Sequence, residues 1–167
     1  MKKRIQNVFF ELIKNSKKSD REIAKKLKIS QPTVTRIRKR LETQGYITEY
    51  TIIPNFPKMG FEITAFIFFH VDRAKNKKIK TGAHTWISKH PNIVFAADGD
   101  GIQGKNCMLA TIHKNFTEYT KFVNEFKAMF GGYIKDLEAF LVPLASKTPK
   151  YLSFKSIENL ISDHSQT

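Results

Sequence analysis

Apolar residues in the first third of the chain recur at helical spacing in three short blocks, with polar residues between them. Such stripes predict amphipathic helices, the first over about residues 4–15. The stripes are formed by Val8, Phe9, Leu12 and Ile13, then by Ile23, Ala24 and Leu27, and then by Val34, Ile37 and Leu41. Helices this short are stable only when packed together, so we expect a three-helix unit.

The residues between the stripes predict where the helices begin and end. Ser19 followed by Glu22 is a capping box. Ser30 is a second N-cap, and Pro32 follows in the first turn of the third helix, where a missing amide costs little. Gly45 ends that helix in the left-handed conformation, and a small strand pair is expected directly after it. This part of the chain therefore has the pattern of a winged helix-turn-helix.

The hydrophobic period changes after a linker at Ile53–Gly60, which contains two prolines and a glycine. The predicted elements beyond it are a strand at 61–72, a helix at 76–90, strands at 92–97 and 105–113, a helix at 116–130 and a strand at 133–144. This order is the split crossover of ferredoxin-like domains. The predicted fold class is α+β. The predicted domains are a winged helix-turn-helix at 1–56, a ferredoxin-like βαββαβ domain at 57–146 and a tail at 147–167.

The first strand of the second domain is apolar on both sides, with Ala65, Ile67 and Phe69 on one side and Phe66 and Phe68 on the other. Right-handed crossovers place both helices on the same face of the sheet. The later helix offers that face a stripe formed by Phe116, Tyr119, Phe122, Val123, Phe126, Met129 and Phe130. The opposite face needs another cover, and a second copy of the chain is the simplest one. We therefore expect a two-fold homodimer with two DNA-reading heads.

The tail contains Phe154, Ile157, Leu160 and Ile161 at helical spacing. It is expected to form a short amphipathic helix docked on the body or on a neighbouring subunit. A frayed terminus is the alternative.

Charge adds a function class to this outline. The chain carries 29 Lys and Arg against 15 Asp and Glu, for a net charge of +14. Residues 1–56 hold 14 of those basic and 5 of those acidic residues, a net charge of +9. Such a field attracts a polyanion and makes binding salt-dependent, which favours double-stranded DNA as partner. The apolar stretch Ala65–Phe69 is too short to span a bilayer. A single cysteine excludes an internal disulfide framework, so a cytoplasmic, nucleoid-associated protein is expected.

The outward face of the third helix carries side chains suited to duplex DNA. The candidate DNA-binding residues are Ser30, Gln31, Pro32, Thr33, Thr35, Arg36, Arg38, Lys39 and Arg40. We expect Gln31, Thr35 and Arg36 to approach bases, because glutamine and arginine can pair with purine edges and threonine can contact a thymine methyl. Lys39, Arg40 and the Ser30 cap are expected to approach phosphates. The alternative is a solvated basic helix without a ligand.

This part of the chain resembles the leucine-responsive (Lrp/AsnC, feast-or-famine) family of regulators. The matching residues are Arg21–Ser30, Val34, Arg36, Lys39–Glu42, Gly45–Ile47 and Tyr50–Thr51. A ferredoxin-like domain follows at the expected distance, so the resemblance covers about residues 4–146. It implies a transcription regulator that dimerises through its second domain, often assembles into tetramers or octamers, and has the capacity to sense an amino acid there.

Two positions depart from the family pattern. Members often have Arg followed by Ile or Val where this chain has Ile37-Arg38, which rotates the face presented by that turn. The family's effector loop often reads Gly-x-x-Asp, whereas this chain has glycine at the last position, Gly104. The candidate effector loop is Asp98, Gly99, Asp100, Gly101, Gln103 and Gly104. A plain turn is the alternative and the preferred interpretation of these glycines.

Residues typical of catalysis or metal binding do not form a recognisable pattern. The sequence has no phosphate-cradling glycine loop and no nucleophile elbow. The histidines are scattered, at His70, His84, His90, His113 and His164, and Cys107 is expected to be a small core residue. No enzyme activity, cofactor or metal is therefore expected.

Two alternatives to a sequence-specific regulator remain open. The first is an architectural protein that coats DNA with little base discrimination, consistent with the many lysines. The second is a small-molecule-binding domain or enzyme that uses the basic helices only as a tether.

Overall fold

The computed structural model describes residues 2–72, 79–146 and 153–162. The chain divides into two compact units, the first comprising Met1–Ile53 with Lys150–Thr167 and the second Pro54–Pro149. The division falls slightly before the boundary expected at residue 57. Phe61 explains the difference, because its ring meets the Phe56 ring edge to face and its N–H donates to the Phe56 carbonyl.

Within Met1–Ile53 the first unit has three helices: α1 at Lys3–Lys14, α2 at Asp20–Leu27 and α3 at Gln31–Thr43. Their shared core consists of Val8, Leu12, Ile23, Ala24, Val34, Ile37 and Leu41. The predicted stripes are thus confirmed in their central positions. Phe9 and Leu27 pack at the edge of this core, whereas Ile13, which was expected within it, is only half-buried and lies outside the cluster.

Two of the predicted helix ends are confirmed in atomic detail. The Ser19 hydroxyl accepts the Glu22 N–H at 3.2 Å, and the Glu22 carboxylate accepts the Ser19 N–H at 2.7 Å. At the other end of the motif, Gly45 has φ of +72°. The Tyr46 N–H donates to the Leu41 carbonyl at 2.9 Å and the Gly45 N–H to the Glu42 carbonyl at 3.0 Å. This is a Schellman motif, which satisfies the last carbonyls of α3.

The prediction of a small strand pair after Gly45 was wrong. Residues 44–56 contain no strand in the structure. A hairpin needs a second segment with backbone donors along its length, and the chain continues instead into Pro54 and Pro57, which have none. The segment from Ile47 to Ile53 is therefore irregular, and Ile52 and Ile53 are exposed.

The second unit has the predicted order of elements. They are β1 at Ile63–Val71, α4 at Ile79–Lys89, β2 at Ile93–Asp98, β3 at Cys107–His113, α5 at Phe116–Phe130 and β4 at Ile134–Pro143. The sheet is antiparallel with the strand order β2-β3-β1-β4. This is the ferredoxin-like arrangement, with β1 and β3 in the centre.

Both helices pack on one face of this sheet. The buried residues of the second core are Ala65, Ile67, Phe69, Leu109, Phe122, Phe126 and Phe130, and Ala83, Trp86 and Ile87 of α4 pack against them. The prediction for α5 was wrong at two positions, because Phe116 and Met129 are exposed. Phe116 is the first residue of α5. Met129 is exposed although the next residue, Phe130, is buried, because Met129 lies at the edge of the apolar stripe.

The opposite face of the sheet is apolar. Phe66 of β1 lies directly beside Phe140 of β4, and Phe68 beside Met108 of β3. Phe140 is 67% exposed and Phe95 of β2 is also exposed, so one chain leaves large aromatic side chains on this face in contact with solvent. The structure therefore shows the exposed apolar sheet face for which the sequence predicted a cover.

The tail forms a sixth helix, α6, at Ile157–Ser162. Its Glu158 carboxylate pairs with the Lys14 ammonium of α1. Phe154, Leu160 and Ile161 are exposed, so the amphipathic helix was correctly expected but most of its apolar side chains are not buried within one chain. None of the helices among the described residues is long and apolar enough to cross a bilayer.

Candidate nucleic-acid interface

The exposed face of α3 is built on the burial of the opposite face. Val34, Ile37 and Leu41 are held in the core, and helical geometry then directs positions 32, 36, 39 and 43 outward. The turn before α3 is only three residues long, and Lys28 adopts the left-handed conformation with φ of 53° to make it. Since α2 and α3 share a core across this turn, the outward face of α3 lies on a rigid support.

Three polar side chains on or beside this face are exposed and have no partner in the part of the chain that the structure describes. They are Arg36 and Lys39, near the centre of the outward face, and Gln31, which lies beside that face at the first position of α3. Such side chains can bind a ligand without first breaking an internal contact. Gln31 lies in the first turn of α3, and the N-terminal residues of a recognition helix are those that contact base edges in the major groove.

The hydroxyl groups near the start of α3 are engaged within the protein. The predicted Ser30 cap was wrong: Ser30 occupies the N-cap position, but its Oγ bonds the Thr33 Oγ1 at 2.7 Å and makes no bond to the backbone of the helix. The Thr35 Oγ1 donates to the Asp20 Oδ2 at 2.7 Å and lies 3.2 Å from the Gln31 carbonyl. Pro32 is exposed between them.

Arg38 differs from the other cations of α3 because it turns toward the body. Its side chain is 20% exposed and meets the carboxylate of Asp20, which is 17% exposed. Arg38 Nε and Nη2 both lie 2.7 Å from Asp20 Oδ1, and Nη2 also donates to the Lys18 carbonyl at 3.1 Å. Burial acts to lower the pKa of Arg38, but hydrogen bonds with Tyr50 and Asp20 outweigh it and raise this pKa, so the side chain remains charged.

Arg40, in contrast, is exposed, and its guanidinium makes a single exposed hydrogen bond among the described residues. Its Nε donates to the Gln44 side chain at 3.1 Å, one turn along the helix. The Thr43 hydroxyl donates to the Arg40 carbonyl. An exposed bond of this kind exchanges readily for a phosphate contact, because water already competes for it.

A buried carboxylate supports the three-helix unit from behind. The Glu11 side chain of α1 is only 5% exposed, and its oxygens lie 2.7 Å from the ammonium groups of Lys18 and Lys26. Burial acts to raise the pKa of Glu11, but the hydrogen bonds and charges of Lys18 and Lys26 prevail and lower it. This carboxylate therefore ties α1 to α2 and to the loop between them.

The candidate effector loop is a short, internally bonded connection between β2 and β3. The Gly99 N–H donates to the Asn106 carbonyl at 3.0 Å and the Gly101 N–H to the Lys105 carbonyl at 2.7 Å. A Cβ at Gly101 would lie 2.8 Å from that same carbonyl, so the loop requires glycine there. Gln103 and Gly104 both have positive φ. Asp98 and Asp100 are exposed, and Asp98 Oδ1 accepts the Cys107 thiol.

The remaining His, Cys, Asp and Glu side chains do not gather into a metal site within the part of the chain that the structure describes. Among residues 2–72, 79–146 and 153–162, no group of three or more His, Cys, Asp or Glu side chains could hold a metal ion. His113 is fully buried, with its Nε2 2.8 Å from the Thr111 hydroxyl, and burial lowers its pKa. Cys107 begins β3 and is half-buried rather than central in a strand. His164 lies outside the described residues.

Sequence reasoning missed three residues that organise this surface: Asp20, Glu42 and Tyr50. Asp20 binds Arg38 and Thr35, while the Tyr50 hydroxyl donates to Glu42 at 2.9 Å. The only indication of these contacts in the sequence was the order Ile37-Arg38, which reverses the order common in the family. This order moves a cation from the outward face of α3 toward α2.

Comparisons with known proteins place this arrangement in context. Residues 1–48 match a family model described as winged helix-turn-helix DNA-binding. The chain is also 31% identical over 120 residues to the HTH-type transcriptional regulator LrpC of Bacillus subtilis, which covers 71% of this chain and 78% of that protein.

Solved structures share the fold over nearly the whole chain. The structure of Escherichia coli AsnC has a TM-score of 0.74 at 16% identity and covers 93% of this chain and 98% of its own. A transcriptional regulator of Neisseria meningitidis in complex with L-Met has a TM-score of 0.77 at 15% identity, covering 93% and 95%. At these identities the two similarities show a common fold.

Proposed function

This chain belongs to the Lrp/AsnC family of DNA-binding transcription regulators, and we propose that it contacts duplex DNA through the outward face of α3. The observation that carries the proposal is the set of exposed side chains without an internal partner among the described residues: Gln31, Arg36 and Lys39. Arg36 and Lys39 lie near the centre of the outward face of a helix whose other face is fixed in the core, and Gln31 lies beside that face in the first turn.

The side chains on this face divide into two roles. Gln31 and Arg36 read base edges, because an amide and a guanidinium each form two parallel hydrogen bonds with a purine. Lys39 and Arg40 neutralise phosphates on either side of the groove, which sets the register without reading sequence. Thr35 contributes only its methyl group, since its hydroxyl is held by Asp20.

We propose that the apolar sheet face is covered by a second copy of the chain. Phe66, Phe95 and Phe140 lie on that face, and exposed aromatic clusters of this kind mark protein interfaces. A self-complementary contact between two sheets gives a closed two-fold dimer, which presents two α3 helices to two half-sites. Assembly of dimers into tetramers or octamers belongs to the same proposal.

Genomic footprinting tests the DNA proposal directly. Fragments bound by the purified full chain at a fixed salt concentration are sequenced, and the shared segment provides what we call the recovered duplex. A sequence-specific regulator retains the recovered duplex when a scrambled duplex of equal length is added in excess. If the recovered duplex is displaced when the scrambled duplex is present only at an equal concentration, the result supports the architectural, DNA-coating alternative instead.

Modulation by an amino acid is a separate proposal for the second unit. The relative from Neisseria meningitidis is described as a complex with L-Met, and the loop of this chain offers the exposed carboxylates of Asp98 and Asp100 to an ammonium group. A thermal-shift panel of the twenty amino acids tests it: the proposal requires that at least one raises the melting temperature, and it is abandoned if none does.

A further inference from the structure

The two carboxylate oxygens of Asp20 serve two different residues of α3. Oδ1 lies 2.7 Å from Arg38 Nε and Nη2, and Oδ2 accepts the Thr35 hydroxyl at 2.7 Å. Asp20 is the first residue of α2, so one side chain joins the start of one helix to the middle of the next. Contacts of this kind set the angle between two helices more narrowly than apolar packing alone, because hydrogen bonds are directional.

Tyr50 contacts the same guanidinium. The Arg38 Cζ lies 6.0 Å from the centre of the Tyr50 ring, within the range of a cation–π contact. The Tyr50 hydroxyl donates to the Glu42 carboxylate of α3 at 2.9 Å. Arg38 therefore contacts both Asp20 and Tyr50, and it joins α2, α3 and the irregular segment after α3, which has no strand pairing to hold it.

We infer that Asp20 is a positioning residue of the DNA-binding surface, which holds α3 at its angle to α2 and withholds the Arg38 charge from the duplex. This inference rests on the proposed function, because it assumes that α3 is the reading helix. A guanidinium released from Asp20 could bind a backbone phosphate, and such a contact carries no sequence information. Confining Arg38 therefore leaves site choice to Gln31 and Arg36, which have no internal partner among the described residues.

Asp20→Asn tests the inference, because asparagine keeps an oxygen for Thr35 while removing the charge that binds Arg38. The matched control is Glu49→Gln, which removes one negative charge from an exposed side chain with no partner among the described residues. Affinity for the recovered duplex and the scrambled duplex is measured over a range of salt concentrations. Melting temperatures of all variants are recorded in parallel.

In Asp20→Asn the released Arg38 should gain one phosphate contact. The slope of log affinity against log salt then steepens by about 0.9 relative to Glu49→Gln, and affinity for the scrambled duplex rises about fivefold at physiological salt. Preference for the recovered duplex falls, because α3 is no longer held at its angle. A residue that only stabilises the fold would lower the melting temperature and leave the salt slope unchanged.

Two Arg38 variants complete the experiment. Arg38→Gln alone should leave the salt slope at the wild-type value, and the double variant Asp20→Asn with Arg38→Gln should lose the extra slope of Asp20→Asn. The inference is overturned if Asp20→Asn has the salt slope and site preference of Glu49→Gln, or if Arg38→Gln flattens the slope by about one contact. The second outcome decides the matter even if Asp20→Asn does not fold.

Arg36→Gln and Lys39→Gln, measured in the same series, separate this inference from the proposed function. If neither weakens binding to the duplexes, α3 is not the reading helix and the proposed function fails. If both weaken binding but Asp20→Asn behaves as its control, only the positioning role fails.

Discussion

Four cations of α3 have the same formal charge and different surroundings. Arg36 and Lys39 are exposed without a partner among the described residues, Arg40 is weakly bonded to Gln44, and Arg38 is confined by Asp20. A charge that is already neutralised inside the protein gains little from a phosphate, because the internal bonds must first be broken. The contribution of each cation to DNA binding is therefore set by its internal partner.

Arg36→Ala should weaken the recovered duplex by about 1–3 kcal/mol and relax the sequence requirement at the base it contacts, because a bidentate pair with guanine is lost. Titration of the recovered duplex and of its single-base variants measures both effects. Equal affinity of wild type and Arg36→Ala for the recovered duplex would remove Arg36 from the reading face.

Lys39→Ala should weaken the recovered and scrambled duplexes by the same factor and reduce the salt slope by about one contact, because lysine binds phosphate without reading sequence. Salt titrations of both duplexes provide the measurement. A change in the ratio between the two affinities would show that Lys39 reads bases instead.

Glu11→Gln should lower the free energy of unfolding of the first unit by about 1–3 kcal/mol at neutral pH, because the two lysine ammonium groups lose a charged hydrogen-bond partner. The Glu11 pKa is lowered in the folded state, so its stabilising effect is present above the ordinary carboxyl pKa of 4.5 and is lost as the pH falls through the folded value. Urea unfolding over this pH range measures it. Glu49→Gln is the control, and a difference between the two variants that persists at low pH would contradict the assignment.

Helix ends decide how the reading surface is presented. The Schellman motif at Gly45 ends α3 and turns the chain so that Tyr46 and Ile47 both donate to the Leu41 carbonyl. The following segment lacks a paired strand and is instead attached to α3 by Tyr50. This segment is therefore attached to α3 by side-chain contacts and not by strand pairing, which explains why the sequence alone did not predict its conformation.

Gly45→Ala should destabilise the first unit by about 1 kcal/mol, because alanine is strained at a φ of +72° although nothing lies within 4 Å of the added Cβ. Gly132→Ala is the control, since its Cβ also meets open space and its φ is outside the left-handed range. Thermal unfolding compares the two variants. A Gly45→Ala protein as stable as the wild type would mean that the helix end relaxes without cost.

The distribution of charge and apolar surface separates the roles of the two units. Most of the net positive charge lies in residues 1–56, whereas the exposed aromatic face belongs to the sheet of the second unit. A basic surface attracts DNA from a distance, and in the proposed dimer the apolar face joins two copies of the chain. Pairing two reading heads raises the effective concentration of the second head once the first is bound.

Phe140→Glu should shift the chain from dimer to monomer at micromolar concentration and weaken the recovered duplex, because a charge would be buried in the interface between two sheets. Phe116→Glu is the matched control, since Phe116 is 61% exposed on α5 and lies away from that sheet face. Sedimentation velocity and duplex titration measure the two effects. An unchanged mass for Phe140→Glu would remove this face from the interface.

The periodicity of apolar residues was sufficient to determine the order of the helices and of the four sheet strands, but not the absence of strands after Gly45. Val34, Ile37 and Leu41 indicated the inward face of α3, and Ser19 and Gly45 marked helix ends that the structure confirms. These features depend on neighbours within a few positions, because helical spacing, caps and turns are local properties. The same applies to the alternation in β1, which predicted a sheet with two apolar faces.

Only the tertiary structure decided which polar side chains on those elements remain without an internal partner and can bind a ligand. Arg36 and Arg38 are two residues apart and chemically identical, yet Arg38 meets Asp20 and Tyr50 from segments 18 and 12 positions away in the sequence. The absence of strand pairing after Gly45 and the exposure of Phe116 have the same origin. Each depends on where segments that are distant in the sequence end in space. A local sequence pattern carries no information about the positions of such segments.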